Sequence, residues 1–200
     1  SQARMTSTRL PGKVLKKVSG KTLLEHHVER LRRSHMSDEV VIATTRNKTD
    51  IQIVEVCEKM KVNYFRGSEE DVLSRYYEAA TKYKADIVVR VTSDCPLIDP
   101  VIVDSVITYF FDNSPFFDYV SNARIRTFPR GMDTEVFKYQ TLEETFNEAK
   151  SKVDREHVTP FIRNPKNNYK LGDFSYHENQ SSHRWTVDTL EDFNLVSKII

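Results

Sequence analysis

Three cationic side chains (Arg4, Arg9 and Lys13) and three hydroxyls (Thr6, Ser7 and Thr8) fall within the opening stretch of this chain, with Gly12 among them. A loop this rich in donors, with a glycine that lets backbone approach a ligand closely, suits a polyphosphate. The same residues would also make a solvated basic turn. The stretch is not a Walker loop: the earlier glycine is missing, and Val14 stands where Ser or Thr is required. Two acids lie where they can answer such a loop. Asp94 follows an apolar strand pattern in Thr92-Ser93-Asp94-Cys95-Pro96, and Asp188 follows another in Trp185-Thr186-Val187-Asp188. In open α/β sheets ligands gather at the carboxyl ends of strands. Mg²⁺ held against a triphosphate uses one or two carboxylates, with water and phosphate oxygens completing its octahedron. Taken singly, each acid reads equally well as a helix cap. Taken with the basic loop, they read as a metal pair.

The rest of the chain must position these groups. Leu24, Val28 and Leu31 recur at helical spacing, and residues 39–44 form a nearly continuous apolar run, as in a strand buried on both faces. A second helix turns Ile53, Val54, Cys57 and Met60 inward, a strand covers 62–65, and a third helix carries Val72, Leu73, Tyr76, Tyr77 and Ala80. Residues 87–91 read as a central strand. Strands alternating with helices at this spacing predict βαβ units around a mainly parallel sheet. Asp99 and Pro100 predict the cap and first residue of the next helix. Strands are expected at 118–122, 134–137, 169–174 and 183–187, with a capping box at Thr141 and Glu144 opening a helix. Residues 154–163 read as a helix that Pro160 kinks or divides, and the last helix follows Thr189.

Four stretches carry a family likeness, and they occur in the family's order. They are Ala3-Arg-Met-Thr-Ser-Thr-Arg-Leu-Pro-Gly-Lys13, Arg66-Gly-Ser-Glu-Glu-Asp-Val-Leu73, Asp94-Cys-Pro-Leu-Ile-Asp-Pro100 and Trp185-Thr-Val-Asp-Thr-Leu-Glu-Asp192. The set resembles the sugar cytidylyltransferases, nearest to the group of spore coat polysaccharide biosynthesis protein F. The synthetases of CMP-KDO and CMP-acylneuraminate are more distant. The resemblance implies one domain over residues 1–200 with a three-layer α/β/α nucleotide-diphospho-sugar transferase fold, Rossmann-like. It implies transfer from CTP to a sugar hydroxyl, with Mg²⁺ on Asp94 and Asp188. Arg9, Lys13 and Asp94 become the catalytic candidates. Gln2, Ala3, Arg4 and Ser7, with Lys13 and backbone amides near Gly12, are expected on the nucleotide.

For the base and ribose, the family pattern points to Thr44 and to Gly67, Ser68 and Asp71, while Arg90 and Thr92 alternate on one face of their strand, where either can meet base or ribose. Ser68 also reads as a helix cap, with Asp71 completing its box. The acceptor is expected beside Asn122, Arg126, Arg130, Asp133 and Glu135, with Arg155-Glu156-His157 and Arg184 able to complete the pocket. Arginine there suits an acidic sugar, since it can grip a carboxylate with two bonds. His157, beside Val158 and Phe161, reads more readily as structural, and Trp185 as core. Tyr109, Phe110, Phe111, Phe116 and Phe117 read as core or as an oligomer contact, and relatives suggest a homodimer. Ser93 stands where relatives commonly carry glycine, and its side chain is expected either to tighten the turn or to crowd the phosphate.

Composition bounds these readings. A formal charge of +1 argues against a general nucleic-acid or membrane-surface binder. Cys57 and Cys95 make no metal-ligand spacing, and no apolar run is long enough to span a bilayer, so a reducing cytoplasm is the expectation. The chain opens without Met and stops inside an apolar helical pattern, so both ends read as trimmed. Two other functions remain open from sequence. A glycosyltransferase of the same fold would use a nucleotide-diphosphate sugar, although only one acid of the usual Asp-x-Asp motif is present. A non-catalytic nucleotide-binding protein is the other.

Overall fold

Short β-branched runs set between amphipathic stretches fix the order of elements in the computed structural model, which describes residues 1–200. A small antiparallel hairpin, β1 (Lys17–Val18) and β2 (Lys21–Thr22), follows the opening loop. Thr22 then caps α1 (Leu23–Leu31): its hydroxyl accepts from the Glu25 amide while the Glu25 carboxylate accepts from the Thr22 amide. Next come β3 (Val41–Thr45), α2 (Ile51–Met60), β4 (Asn63–Gly67), α3 (Val72–Lys82) and β5 (Ile87–Arg90). Asp99 caps α4 (Pro100–Asp112), with Pro100 as its first residue. The remainder is β6 (Tyr119–Ser121), β7 (Glu135–Lys138), α5 (Tyr139–Glu148), α6 (Lys152–His157), α7 (Pro160–Arg163), β8 (Leu171–Asp173) and α8 (Leu190–Ile199).

The opening segment stitches the sheet together. β3 pairs in parallel with β4, and β5, β7, β6 and β8 lie side by side in that order. Gln2 bridges in parallel to Ala43 of β3 and to Thr92 just past β5, so the segment lies between the two groups. The sheet is mainly parallel, as expected, but β7 runs against both β5 and β6. The cause is the connection: β6 reaches β7 through a loop, and a parallel neighbour would need a full crossover.

Side chains alternate to the two faces of the sheet. Val88, Phe137 and Tyr119 are register partners and pack with Val72, Leu73 and Tyr76 of α3, Leu142 of α5 and Ile162 of α7. Their neighbours Val136 and Val120 pack with Val103, Val106, Ile107 and Phe110 of α4. Leu24, Val28, Ile53 and Cys57 of α1 and α2 close over Ile42. Helices therefore cover both faces, giving the three layers that the sequence predicts.

Local structure departs from the sequence reading in three places. Residues 183–187 form no strand, only a bridge between Arg130 and Arg184. The helix at Thr141 begins earlier, at Tyr139, and Thr141 is buried in its first turn without capping it. Asp71, not Ser68, caps α3 by accepting from the Ser74 amide, while the Ser68 hydroxyl accepts from the Asp71 amide. Residues 154–163 divide into α6 and α7, as Pro160 predicts, with the break at Val158, whose φ is 71°. Pro160 sits at the start of α7, where its missing amide is harmless. Phe110 is core but Phe111 and Phe116 are exposed, and Trp185 is half-buried beside the cluster of Phe128 and Val187. No helix is long and apolar enough to cross a membrane.

Candidate active site

A cleft of about 310 Å³ opens beyond the carboxyl end of β5. The opening loop supplies much of its wall through Gln2, Ala3, Arg4, Ser7, Arg9 and Lys13. Thr92, Asp94 and Asp188 come from the segments that follow the sheet, and Val72 and Arg75 from α3. Gly12 does not line the cleft but shapes its wall. At φ +67° its amide donates to the Met5 carbonyl at 2.9 Å, closing the loop on itself. Asp50, fully buried, ties down the other side: it accepts from the Met5 amide at 2.9 Å and from the Thr44 and Thr45 hydroxyls.

Opposite charges converge at the centre. The Lys13 ammonium donates to Asp94 Oδ2 at 3.0 Å and to Asp188 Oδ1 at 2.9 Å. Arg9 reaches the same Asp188 oxygen at 2.8 Å, and Arg184 holds the other at 2.7 Å. Arg184 also pairs with Asp192, so the ion pairs extend into the first turn of α8. Burial pushes the Asp94 carboxyl up, yet the Lys13 charge and hydrogen bonds from Thr92, Lys13 and Cys95 outweigh it and hold the group below its ordinary 3.8. Asp94 is therefore a carboxylate at neutral pH. Ser93, next to it, does not crowd the cleft: its hydroxyl turns away and bonds to that of Ser1 at 2.8 Å.

Several expected site residues are engaged elsewhere. Thr44 is fully buried on Asp50, so its side chain does not face the cleft. Asp71 caps α3 and is gripped by the Arg155 guanidinium. Arg90 and Glu135 form a buried ion pair beneath the cleft, with Glu135 also accepting from Tyr119 and Thr159. Asn122 braces its own loop, donating to the Met132 carbonyl and accepting from the Thr134 amide, both at 2.8 Å. Asp133 pairs with Arg126. Arg130 is exposed, and its backbone is zipped to residues 183–185: its amide donates to the His183 carbonyl at 2.9 Å and its carbonyl accepts from the Trp185 amide at 2.7 Å. Gly131 permits this closeness, because at φ +105° an added Cβ would lie 2.8 Å from the Trp185 carbonyl carbon.

Glu156 and His157, two of the residues able to complete a pocket, do line the cleft, and His157 is exposed there, not packed in the core as its apolar neighbours suggested. Val158 next to it holds a left-handed φ that a β-branched residue adopts only at a cost of about 1–3 kcal/mol. That turn carries His157 outward and Val158 inward. Arg75 gave no sequence signal, because its role depends on what it lacks as a partner.

A mainly parallel sheet with a cation-rich loop and a pair of converging carboxylates at one end, Asp94 after β5 and Asp188 before α8, is the architecture of a nucleotidyltransferase. The sequence model of the family described as cytidylyltransferase matches residues 2–199. An uncharacterized protein of Methanocaldococcus jannaschii is 42% identical over 97% of this chain and 79% of its own length. Spore coat polysaccharide biosynthesis protein SpsF of Bacillus subtilis is 35% identical over 99% of this chain and 83% of its own. A 3-deoxy-manno-octulosonate cytidylyltransferase of Geobacter sulfurreducens is 33% identical over 70% of this chain and 55% of its own. Among solved structures, a cytidylyltransferase from Leptospira borgpetersenii superposes with a TM-score of 0.94 at 38% identity, covering 98% of this chain and 82% of that one. The chain belongs to the cytidylyltransferase family.

Proposed function

We propose that this cytidylyltransferase couples CTP to a sugar hydroxyl, releasing pyrophosphate and forming a CMP-sugar. The hydroxyl oxygen bonds to the α-phosphorus as the α–β bridging bond breaks in line, and the hydroxyl proton is lost. Such a transfer asks for positioning and for stabilisation of charge on the phosphates. The observation that carries the reading is the convergence of Asp94 and Asp188 on one cation beside a loop of phosphate-binding residues. Lys13 Nζ marks a point within 3.0 Å of both carboxylates, where a small cation fits. No cluster of three or more His, Cys, Asp or Glu encloses a metal by itself. That suits Mg²⁺, whose remaining positions are taken by water and phosphate. When bound, Mg²⁺ supplies charge neutralisation and polarises the α-phosphate.

The chain's own side chains then divide the work. Lys13 and Arg9 move from the carboxylates onto the phosphates, and Arg4 and Ser7 hold the nucleotide along the loop. Asp94 and Asp188 hold the metal. Arg130, exposed at the loop before β7, and His157 with Glu156 face the acceptor. The name of the Geobacter relative supports an acidic sugar in that place. A thermal-shift panel of CTP, UTP, ATP and GTP, each with and without Mg²⁺, tests the nucleotide. CTP with Mg²⁺ at about 100 times its dissociation constant raises the midpoint by about 5–10 °C. A flat response to CTP would sink the proposal.

A further inference from the structure

Arg75 is the anomaly of the cleft. It is 1% exposed, as buried as any large side chain here, yet it belongs to no ion pair. Arg90 likewise leaves its Nε unpaired but is locked to Glu135, and Arg155 to Asp71. The one hydrogen bond of Arg75 runs from Nη1 to the Ser68 carbonyl at 2.9 Å, and its Nε is buried without a partner. Asp50 and Glu69 lend it favourable charge from nearby, but neither bonds to it. A buried guanidinium with a donor unpaired is costly to hold in the free protein, so a ligand that brings acceptors recovers that cost. Burial lowers its pKa in the same sense. Gly67 makes the arrangement possible: an added Cβ would lie 2.9 Å from Arg75 Cγ, so the side chain runs directly over the glycine.

Position narrows the choice of acceptor. Lys13, Arg9 and the two aspartates mark the phosphate part of the cleft. Arg75 stands about one turn along α3 from Val72, which with Ala3 belongs to the small apolar part of the lining, fit to lie against a ring. With Nη1 anchored on Ser68, the Nε and Nη2 edge of the guanidinium remains, a pair of parallel donors in fixed geometry. Cytosine offers two adjacent acceptors, O2 and N3. Uracil keeps O2 but carries a hydrogen on N3, which would point at a donor.

We propose that Arg75 reads cytosine by donating to O2 and N3 together, and thereby sets the preference for CTP over UTP. The assignment rests on the reading of this cleft as a CTP site. A bidentate contact of this kind discriminates by about 10- to 100-fold.

The decisive measurement uses the unmodified protein, so it does not depend on a variant folding. Calorimetric titration compares CTP, UTP, inorganic triphosphate and 3-deaza-CTP, in which a C–H replaces N3. UTP and 3-deaza-CTP are each expected to bind about 10- to 100-fold more weakly than CTP. Arg75→Met then brings CTP down to the level of UTP while leaving UTP and triphosphate nearly unchanged. Gly67→Ala, which displaces the guanidinium without removing it, shifts CTP in the same direction. If CTP binds and 3-deaza-CTP matches it, the Arg75 assignment falls alone. It falls alone, too, if Arg75→Met weakens CTP, UTP and triphosphate alike. Failure of the unmodified protein to bind CTP at all overturns this assignment and the proposed function together.

Discussion

Asp94→Asn is expected to leave a folded protein whose pyrophosphate release from CTP, scanned over a panel of sugars, falls by roughly 10²- to 10³-fold or more. The side chain is 25% exposed at the cleft wall, so the fold does not depend on it as on a core residue. Lys13 keeps Asp188, and Asn offers an oxygen of similar shape. The loss to stability is then that of one charge-assisted hydrogen bond, about 1.5–3 kcal/mol. The loss to turnover is much larger, because a neutral amide holds a divalent ion poorly at the point where phosphate charge must be compensated. A melting curve and a pyrophosphate assay on the same preparation separate the two effects. Undiminished release would remove Asp94 from the metal site.

Glu135→Gln should strike the fold and not the chemistry. Glu135 and Arg90 are both buried in the sheet, on paired positions of β7 and β5, and Tyr119 and Thr159 hydroxyls complete the carboxylate's shell. Removing one charge strands the other, a loss of about 3–5 kcal/mol. Urea denaturation reads it directly, and the double variant Arg90→Met with Glu135→Leu recovers much of the loss, since no lone charge remains. Burial alone would raise the Glu135 carboxyl, but Arg90 and the hydrogen bonds hold it below its ordinary 4.5. A carboxylate with a depressed folded value stabilises above the unfolded value and loses that contribution as pH falls through the folded one. The stability gap between the native protein and Glu135→Gln therefore holds near neutral pH and closes as pH drops below 4.5. A gap independent of acid would mean that Glu135 is not ionised in the fold.

What was legible in the sequence follows a physical line. Lys13, Asp94 and Asp188 could be found because their chemistry is written in residue type and in their place after apolar runs. The helices were legible through period and through caps such as Asp99. Roles that depend on a partner across the sheet were not. Arg90 and Glu135 looked like site residues because polar side chains on a strand usually mean exposure, and nothing local says that they neutralise each other. Asp50 gave no signal, since its value lies in four donors brought from two other segments. Arg75 sat in plain view within an amphipathic helix, where an arginine ordinarily faces water. Residues 183–187 read as a strand because their apolar residues alternate. Their backbone meets Arg130, beside Gly131, on one side. On the other, the Val187 amide donates to the Asp94 carbonyl at 2.7 Å, in the turn after β5, and neither contact extends into a ladder.

That contact at Gly131 bears on how such an enzyme changes its taste in sugars. The loop before β7 and the stretch leading to Asp188 are welded by two backbone hydrogen bonds and by a gap too narrow for one methyl group. They behave as a single cassette made of two pieces of chain. A foreign loop grafted alone would arrive without the surface it was shaped against, and its misfit would be passed straight to Asp188. Under the acceptor role proposed for Arg130, transplanting both pieces together is the expected route for exchanging acceptor preference while Asp188 stays in register.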